Sequence, residues 1–228
     1  MQRNRGKTAS WEIYSNLKAR SPIVVRADGR GFKKILESRK KPYDMDFARS
    51  MVEATVRLFE DSGLTPSLAF TFSDEISLIF LEAPFAGRVE KIDSIIAGHL
   101  SGALSIELGR VVSMDCRVVS VCMAEIVDYL IDRQDETWRN HVFSYGFHML
   151  LEDGLTNTGA MEQLRNMREF EIHELVFRRG VNLAKTPVWE RRGMLVYRKE
   201  EELFQDWNLP LFKSEDGRRL IDQLIMRD

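Results

Sequence analysis

Apolar and polar residues alternate on both sides of a short polar break in the first third of the chain. Every second residue is apolar over 68–72, and the alternation resumes over 76–80. A period of two on each side of a break predicts two antiparallel strands. The break, Ser73-Asp74-Glu75, lacks the glycine that a tight hairpin favours. Adjacent carboxylates repel each other unless a cation lies between them, so we predict half of a divalent-metal site at this hairpin tip.

Helical spacing of apolar residues predicts most of the remaining elements. Thr8 or Ser10 is expected to cap a first helix that runs to about Ala19. Further helices are predicted over 33–36, 44–61, 88–108, 128–151, 160–167, 169–179 and 217–226. Strands are predicted over 23–27, 111–123 and 193–197, and residues 181–183 also look extended.

The order of these elements predicts an α+β fold. A β-α-β-β-α-β core with an antiparallel sheet is the ferredoxin-like arrangement, and we expect its long helices to cover one face of the sheet. Polymerase palms and nucleotide cyclases share this core, so the fold does not choose between these activities.

Composition and charge bear on the cellular compartment and on how a nucleic acid could be bound, more than on the function itself. The 228 residues carry a formal net charge of -2, so nucleic-acid binding must depend on local basic patches. Cys116 and Cys122 are expected to share one strand, too far apart for a disulfide, as free core thiols of a reducing cytosol. The basic start is followed by no apolar signal core, and no apolar run reaches membrane-spanning length. The expectation is a cytoplasmic protein.

A second acidic residue is predicted to meet the hairpin tip. Asp28 ends the strand over 23–27 and precedes a glycine-containing loop. In the expected topology, Asp28 and Asp74 come together at one edge of the sheet. Two aspartates and the carbonyl of Gly29 would suit octahedral Mg²⁺. The alternative is an Asx turn at Asp28 and solvated carboxylates at the tip. We favour the metal site because two acidic tips coincide with a glycine loop.

Pairs of basic residues suggest phosphate binding. Arg88 and Lys91 share a face at a predicted helix start, where two cations and the helix dipole would hold a triphosphate. A solvated charged turn is the alternative, and it applies equally to Lys33 and Lys41.

Two arginine pairs in the C-terminal half suggest RNA binding. Arg178-Arg179 and Arg191-Arg192 could hold an RNA backbone. Ordinary surface charge is the alternative for both pairs.

Several motifs together resemble the tRNA-histidine guanylyltransferase family, in particular its archaeal-type branch. The resemblance runs from about Trp11 to Tyr197, and its two acidic motifs, in this order and at this spacing, are specific. The motifs are Val25-Arg26-Ala27-Asp28-Gly29-Arg30-Gly31-Phe32, Lys41-Pro42, Ser73-Asp74-Glu75-Ile76-Ser77, Arg88 to Lys91, Tyr129-Leu130, Arg133-Gln134, Arg139-Asn140, His173-Glu174-Leu175, Asn182 and Arg191-Arg192-Gly193.

The resemblance implies a palm-like core that extends RNA at its 5′ end in the 3′–5′ direction. It implies that ATP or GTP activates a 5′-monophosphate of tRNA, which the 3′-hydroxyl of an incoming nucleotide then attacks. By analogy, two Mg²⁺ ions bind Asp28, the Gly29 carbonyl and Asp74, with Glu75 beside them as a further catalytic residue. The implied nucleotide-binding residues are Asp28, Gly29, Arg30, Gly31, Phe32, Lys33, Ser73 and Asp74, with Lys41, Arg88 and Lys91 on the triphosphate.

The resemblance also implies the organisation of the chain and its partners. Residues 1–137 would form the palm-like core, and residues 138–228 a helical, fingers-like region packed with it as one unit. The family suggests a homodimer or homotetramer.

One departure from the family concerns RNA recognition. The eukaryotic members carry a His-Ile-Asn-Asn-Leu-Tyr-Asn motif on the long helix, where this chain has Trp138-Arg139-Asn140-His141-Val142-Phe143-Ser144. Trp138, Arg139 and Asn140 are therefore expected to meet RNA without strict selection of one tRNA. A palm-type nucleotide cyclase and a non-catalytic RNA-binding module are the alternatives to this enzyme.

Overall fold

Six strands form one antiparallel sheet in the computed structural model, which describes residues 11–226. The spatial order is β4–β1–β3–β2–β5–β6. The strands are β1 (Ile23–Arg30), β2 (Leu68–Phe72), β3 (Glu75–Phe80), β4 (Ser113–Ser120), β5 (Met194–Lys199) and β6 (Glu202–Asp206). The first four strands and their helices reproduce the predicted β-α-β-β-α-β core, which confirms the α+β, ferredoxin-like prediction.

Eight helices accompany the sheet in the described residues. They are α1 (Lys33–Leu36), α2 (Met45–Asp61), α3 (Val89–Leu108), α4 (Ile126–Glu152), α5 (Asn157–Arg165), α6 (Glu169–Arg178), α7 (Val188–Arg192) and α8 (Glu215–Ile225). Local chemistry sets their ends as predicted. The Asp44 carboxylate accepts the N–H of Phe47 at 2.8 Å to cap α2, and Gly109 ends α3 with a φ of 62°.

Helices cover both faces of the sheet, where the sequence predicted one covered face. Alternate residues of β1 divide between two cores: Val25 packs with residues of α2 and α3, whereas Val24 packs with residues of α4 and α8. The strand β2 is buried at all five positions. The uninterrupted apolar run Ile23-Val24-Val25 is the local sign of a strand buried on both sides.

A third core lies beyond the sheet and holds the helical region together. The C-terminal half of α4 packs there with α5 and α6 through Val142, Leu150, Leu164, Ile172 and Val176. The division proposed at residues 137/138 falls inside the unbroken helix α4, and β5 and β6 from the second part complete the sheet. The second part therefore contains strands as well as helices. It also contributes to the core of the palm, in which Val196 of β5 is buried.

Two local predictions were wrong. Residues 11–19 form turns and no helix, because their large apolar residues, such as Trp11 at 79% exposure, have no surface to pack against. The proposed caps Thr8 and Ser10 lie outside the described residues. The expectation of extended backbone over 181–183 was wrong at its end: Asn182 is extended, but a 3₁₀ turn over Leu183–Lys185 follows, capped by the Asn182 side chain.

The cysteines follow the prediction in part. Both thiols are free, but β4 ends at Ser120, so Cys122 lies beyond the strand and is exposed while Cys116 is half-buried. Burial raises the pKa of the Cys116 thiol to about 12. Among residues 11–226, no helix has the length and apolar character needed to cross a membrane.

Candidate active site

The end of β1 and the tip of the β2–β3 hairpin meet, as predicted. Asp28 is paired in register with Glu75 of β3 on one side and with Asp115 of β4 on the other. The N–H of Gly29 donates to the carbonyl oxygen of Asp74 at 3.0 Å. Asp28 and Gly29 thus belong to the strand itself, which continues past the predicted boundary and holds them rigidly.

The hairpin tip is a strained two-residue turn. Ser73 has a φ of 54°, in the left-handed region that usually favours glycine. Its hydroxyl donates to Oδ1 of Asp74 at 3.2 Å. Strain of this kind is kept where the surrounding structure demands it, and active sites are common places for it.

Asp74 lies in an environment that disfavours its charge. Burial, followed by the negative charge of Asp28, raises the pKa of the Asp74 carboxyl above its ordinary value. A bound cation would relieve both effects. The hairpin therefore has the electrostatic character that the metal-site prediction requires.

The donor set at this point consists of oxygens. In the part of the chain that the structure describes, no group of three or more His, Cys, Asp or Glu side chains is placed to hold a metal. The available donors are the carboxylates of Asp28 and Asp74 and the carbonyl of Gly29, which faces the hairpin because a strand residue directs its N–H and C=O to the same side. Such a set fits Mg²⁺ when phosphate and water oxygens complete the octahedron.

Glu75 is engaged away from the aspartates. Its carboxylate accepts hydrogen bonds from Nη1 of Arg133 on α4 at 3.1 and 3.3 Å, and Nε of Arg26 lies 4.0 Å away. Two residues further along β3, the Ser77 hydroxyl is hydrogen-bonded to the Tyr129 hydroxyl of α4 at 2.9 Å. Glu75 thus connects the hairpin to α4, a role that its place beside Asp74 in the sequence does not reveal.

The glycine motif shapes the loop after β1. A Cβ on Gly29 would lie 2.5 Å from the ring of Phe32, which is 1% exposed and packs on Phe47. Phe32 thus supports the site from the core and presents little surface to a ligand. Arg30 and Gly31, the latter with a φ of 73°, are exposed.

A cleft of about 790 Å³ opens beside the hairpin tip. Its walls combine basic groups with aromatic rings, which suits a nucleoside triphosphate. The lining includes Lys33, Lys40, Lys41, Tyr43, Phe143, Phe147, His148 and Trp189. Nζ of Lys41 donates to the Leu36 carbonyl at 2.6 Å, so a loop contact holds this lysine at the wall.

A smaller cavity of about 220 Å³ lies on the other side of the tip. Both cavities are lined by Ser73, Asp74 and Asn140, whereas Asp28 and Arg133 line only the smaller one. The hairpin tip therefore separates two spaces that both reach Asp74.

Arg88 and Lys91 lie at the opposite end of the sheet from the aspartates. Along β3, Glu75 pairs with Asp28 at one end and Phe80 pairs with Ile23 at the other. Five residue steps of about 3.3 Å separate these ends by about 17 Å. Lys91 lies over the ring of Phe85, 4.8 Å from its centroid, just beyond the far end. Within one chain, the structure does not bring these two cations to Asp74.

The residues predicted to bind RNA on α4 have partners within the chain. Nε1 of Trp138 donates to Oε1 of Glu169 at 2.7 Å, and the indole stacks on His141. Arg139 pairs with Glu136 on the same helix. Asn140 is exposed, as Arg139 is, and it lines both cavities.

The two arginine pairs make different kinds of contact: the first pair forms ion pairs, and the second donates to backbone carbonyls. Arg178 pairs with Glu174 and Arg179 with Asp153, all on the exposed surface of the helical region.

Arg191 and Arg192 donate hydrogen bonds to backbone carbonyl groups. Arg191 donates to the Thr186 carbonyl at 3.1 Å, and Arg192 donates to the Leu209 carbonyl at 2.8 Å. These contacts tie α7 to the adjacent loops, which is a structural role.

Sequence reasoning missed two charged residues at the site and most of the cleft wall. Nη2 of Arg117 on β4 lies 2.9 Å from Oδ1 of Asp115 and 4.0 Å from Oδ2 of Asp28. The spacing of Asp115 and Arg117, two residues apart in a predicted strand, was the available signal that both share a face. The aromatic wall gave no such signal, because its residues come from separate parts of the chain.

Comparison with known proteins identifies relatives of the whole arrangement. Residues 6–128 match the family described as tRNAHis guanylyltransferase (Thg1). The tRNA(His) guanylyltransferase of Schizosaccharomyces pombe is 28% identical over 213 residues, which cover 87% of this chain and 80% of that protein. For tRNA(His) guanylyltransferase 1 of Arabidopsis thaliana the identity is 26% over 210 residues, with 85% of this chain but 36% of the plant protein covered.

Solved structures show the same fold. A bacterial tRNA(HIS) guanylyltransferase (Thg1)-like protein in complex with ATP superposes with a TM-score of 0.81 at 21% identity, covering 96% of this chain and 97% of that one. The tRNA(His) guanylyltransferase of Saccharomyces cerevisiae gives a TM-score of 0.75 at 25% identity, covering 88% and 95%. Since the family match spans more than half of the 228 residues, the chain belongs to the tRNAHis guanylyltransferase family.

Proposed function

We propose that this protein is a nucleotidyltransferase that adds nucleotides to the 5′ end of tRNA in the 3′–5′ direction. The observation that carries the proposal is the meeting of Asp28 and Asp74 between a basic, aromatic cleft and a second cavity, in a chain of this family. The bacterial relatives with ATP and GTP support nucleoside triphosphates as the cleft's occupants.

The reaction has two phosphoryl-transfer steps. In the first, the 5′-monophosphate of the RNA attacks the α-phosphorus of ATP or GTP, and pyrophosphate leaves. In the second, the 3′-hydroxyl of the incoming triphosphate attacks the activated 5′-phosphate, and the nucleoside monophosphate leaves. Positioning and neutralisation of charge supply most of the catalysis in such transfers.

The cleft residues have defined tasks in this scheme. Lys33 and Lys41 neutralise the triphosphate. The half-buried rings of Tyr43 and Phe143 line the cleft and offer surface on which a base can pack. The strand β1 and the strained tip at Ser73 keep the two aspartates in place before substrate arrives.

The oxygen donors described above fit Mg²⁺, and we propose two ions bound by Asp28, Asp74 and the Gly29 carbonyl. Bound there, Mg²⁺ would neutralise phosphate charge and lower the pKa of a coordinated hydroxyl. Glu75 would contribute by fixing the hairpin to Arg133.

A homodimer or homotetramer is the proposed assembly. The exposed Trp11, Ile13 and Leu17 lie on the segment that is bridged to Arg88 through Lys18. Burying these apolar side chains against a second copy would be favourable. Arg88 and Lys91 could assist a triphosphate only if such an assembly carried them to another chain's site.

Templated repair is the proposed form of the reaction, with several 5′-truncated tRNAs as substrates. The Trp138 ring replaces the family's histidine, and its N–H is already bonded to Glu169, so it cannot supply that histidine's polar contacts. Backbone contacts position a nucleic acid without reading its sequence, which leaves the choice of nucleotide to pairing with the opposite strand.

Transfer of label from a nucleoside triphosphate to the 5′ end of truncated tRNAs tests the proposal. The tRNAs carry different anticodons and different facing bases in the acceptor stem, and Asp28→Ala and Asp74→Ala serve as inactive controls. We expect Mg²⁺-dependent incorporation that follows Watson–Crick pairing and ignores the anticodon. Cyclic nucleotide formed without RNA, or tRNA binding with no incorporation, would contradict the proposed activity. Guanosine added only to tRNA with a histidine anticodon would contradict templated repair alone.

A further inference from the structure

Two rows of charge cross the α4 side of the sheet near its edge. The register places the carboxylates of Glu75, Asp28 and Asp115 side by side on three strands. Two residues further along the strands, Arg26 and Arg117 are opposite each other. Directly paired strand residues face the same side, so carboxylates and guanidinium groups form adjacent parallel rows.

The arginines near the carboxylate row differ in how they are used. Arg133 is 17% exposed and is directed at Glu75. Arg26 is also turned to Glu75, with its Nε buried. Arg117 is 49% exposed, and a single nitrogen, Nη2, makes its contacts with Asp115 and Asp28. A guanidinium carries five N–H donors, so Arg117 keeps several of them for a ligand.

The surroundings of Arg117 are open. It lies on β4, which is the edge strand, and Asp115 beside it is 57% exposed. The large cleft, by contrast, is on the far side of the Ser73–Asp74 tip and is walled by helices and aromatic rings. A concave cleft suits a free nucleotide, whereas the end of an RNA helix requires an open approach.

We propose that Arg117 binds the 5′-terminal phosphate of the RNA and places it beside Asp28. This inference rests on the proposed function, whose reaction needs a phosphate of a second reactant at the aspartates while a nucleotide fills the cleft. Arg117 lies 4.0 Å from Asp28 and can pivot from Asp115 towards a phosphate, with which guanidinium forms paired hydrogen bonds.

The test compares the binding of one tRNA with a 5′-phosphate and with a 5′-hydroxyl, in Mg²⁺ and without nucleotide. No turnover occurs under these conditions, so the readout is independent of activity. Wild-type protein is expected to prefer the phosphorylated RNA by about tenfold, and Arg117→Gln is expected to abolish the preference. Arg49→Gln, which breaks an exposed arginine–aspartate pair on α2, is the matched control and should keep it.

Asp115→Asn separates phosphate binding from a structural role of the Arg117–Asp115 pair. It releases Arg117 without removing it, so the preference should persist or increase. An equal loss in Asp115→Asn and Arg117→Gln would overturn the proposal. So would a wild-type protein without preference, or an Arg117→Gln variant that changes only the KM for the nucleoside triphosphate. Label incorporation by wild-type protein tests the proposed function separately, because it can succeed whichever residue holds the phosphate.

Discussion

The N–H of Gly29 donates to the carbonyl oxygen of Asp74 at 3.0 Å, and this bond joins the end of β1 to the tip of the β2–β3 hairpin. It places the two acidic motifs of the sequence, whose aspartates at positions 28 and 74 are 46 residues apart, in one rigid unit. The bond leaves little freedom for the two aspartates to separate. The folded protein therefore retains the repulsion between their charges, which helps to raise the pKa of Asp74.

Replacing Asp74 with Asn is expected to abolish turnover and raise thermal stability near neutral pH. The pKa of Asp74 is raised by burial and by Asp28, so the folded state pays for ionising this carboxyl as the pH rises through that pKa. At a pH below the unfolded pKa both states are protonated and the cost is absent. The stabilising effect of Asp74→Asn, measured by Tm, should therefore grow as the pH rises above the unfolded pKa and level off above the raised pKa of the folded state. A difference in Tm that is the same at every pH would contradict the raised pKa.

Removing the Glu75 carboxylate is expected to destabilise the fold. Arg133 is 17% exposed, and Glu75→Ala would leave its guanidinium without its partner at a cost of about 2 kcal/mol. Chemical denaturation of Glu75→Ala, Arg133→Met and the double variant measures the coupling. We expect the double variant to be more stable than the sum of the single changes predicts. Strict additivity would mean that Glu75 acts without Arg133.

Neighbouring lysines on α1 provide a test of the nucleotide cleft. Lys33 lines the cleft and Lys34 does not, although both are exposed and share one short helix. Lys33→Ala should raise the KM for the nucleoside triphosphate by roughly tenfold while tRNA affinity is kept, and Lys34→Ala should change neither. Equal effects of the two substitutions would assign the loss to general charge and not to the cleft.

Trp138 is expected to matter for stability more than for RNA. Trp138→Phe keeps an aromatic ring but removes the hydrogen bond to Glu169 that joins α4 to α6. Stability should fall by about 1 kcal/mol in denaturant titrations, with turnover on truncated tRNA near that of wild type. A large loss of tRNA affinity at unchanged stability would instead support the direct RNA contact expected from the sequence.

Much of the palm could be predicted from the sequence because its signals are local. Period-two alternation marks β2 and β3, Asp44 and Gly109 mark helix ends, and these act within a few residues. The helix expected over 11–19 does not form, because local spacing alone was not sufficient there. An apolar stripe forms a stable helix only when another surface covers it.

Local signals also led to the aspartates but not to their neighbours. Asp28 ends one predicted strand, and Asp74 lies in the turn that joins two others. The strand topology alone therefore brings them together. The pairing of Glu75 with Arg133 and the approach of Arg117 to Asp28 depend on side chains from α4 and β4. No periodicity in the sequence reports such contacts.

The sequence by itself determined the β-α-β-β-α-β order of the core, the acidic hairpin tip and the glycine-containing loop after Asp28. Only the tertiary structure showed that Gly29 packs against Phe32. Only the tertiary structure decided that β5 and β6 extend the sheet, that helices cover both of its faces, and that Arg88 lies at the far end from Asp74. The physical reason is range. Turns, caps and alternation follow from backbone sterics and hydrogen bonds between near neighbours, whereas clefts and ion pairs arise where distant segments pack together.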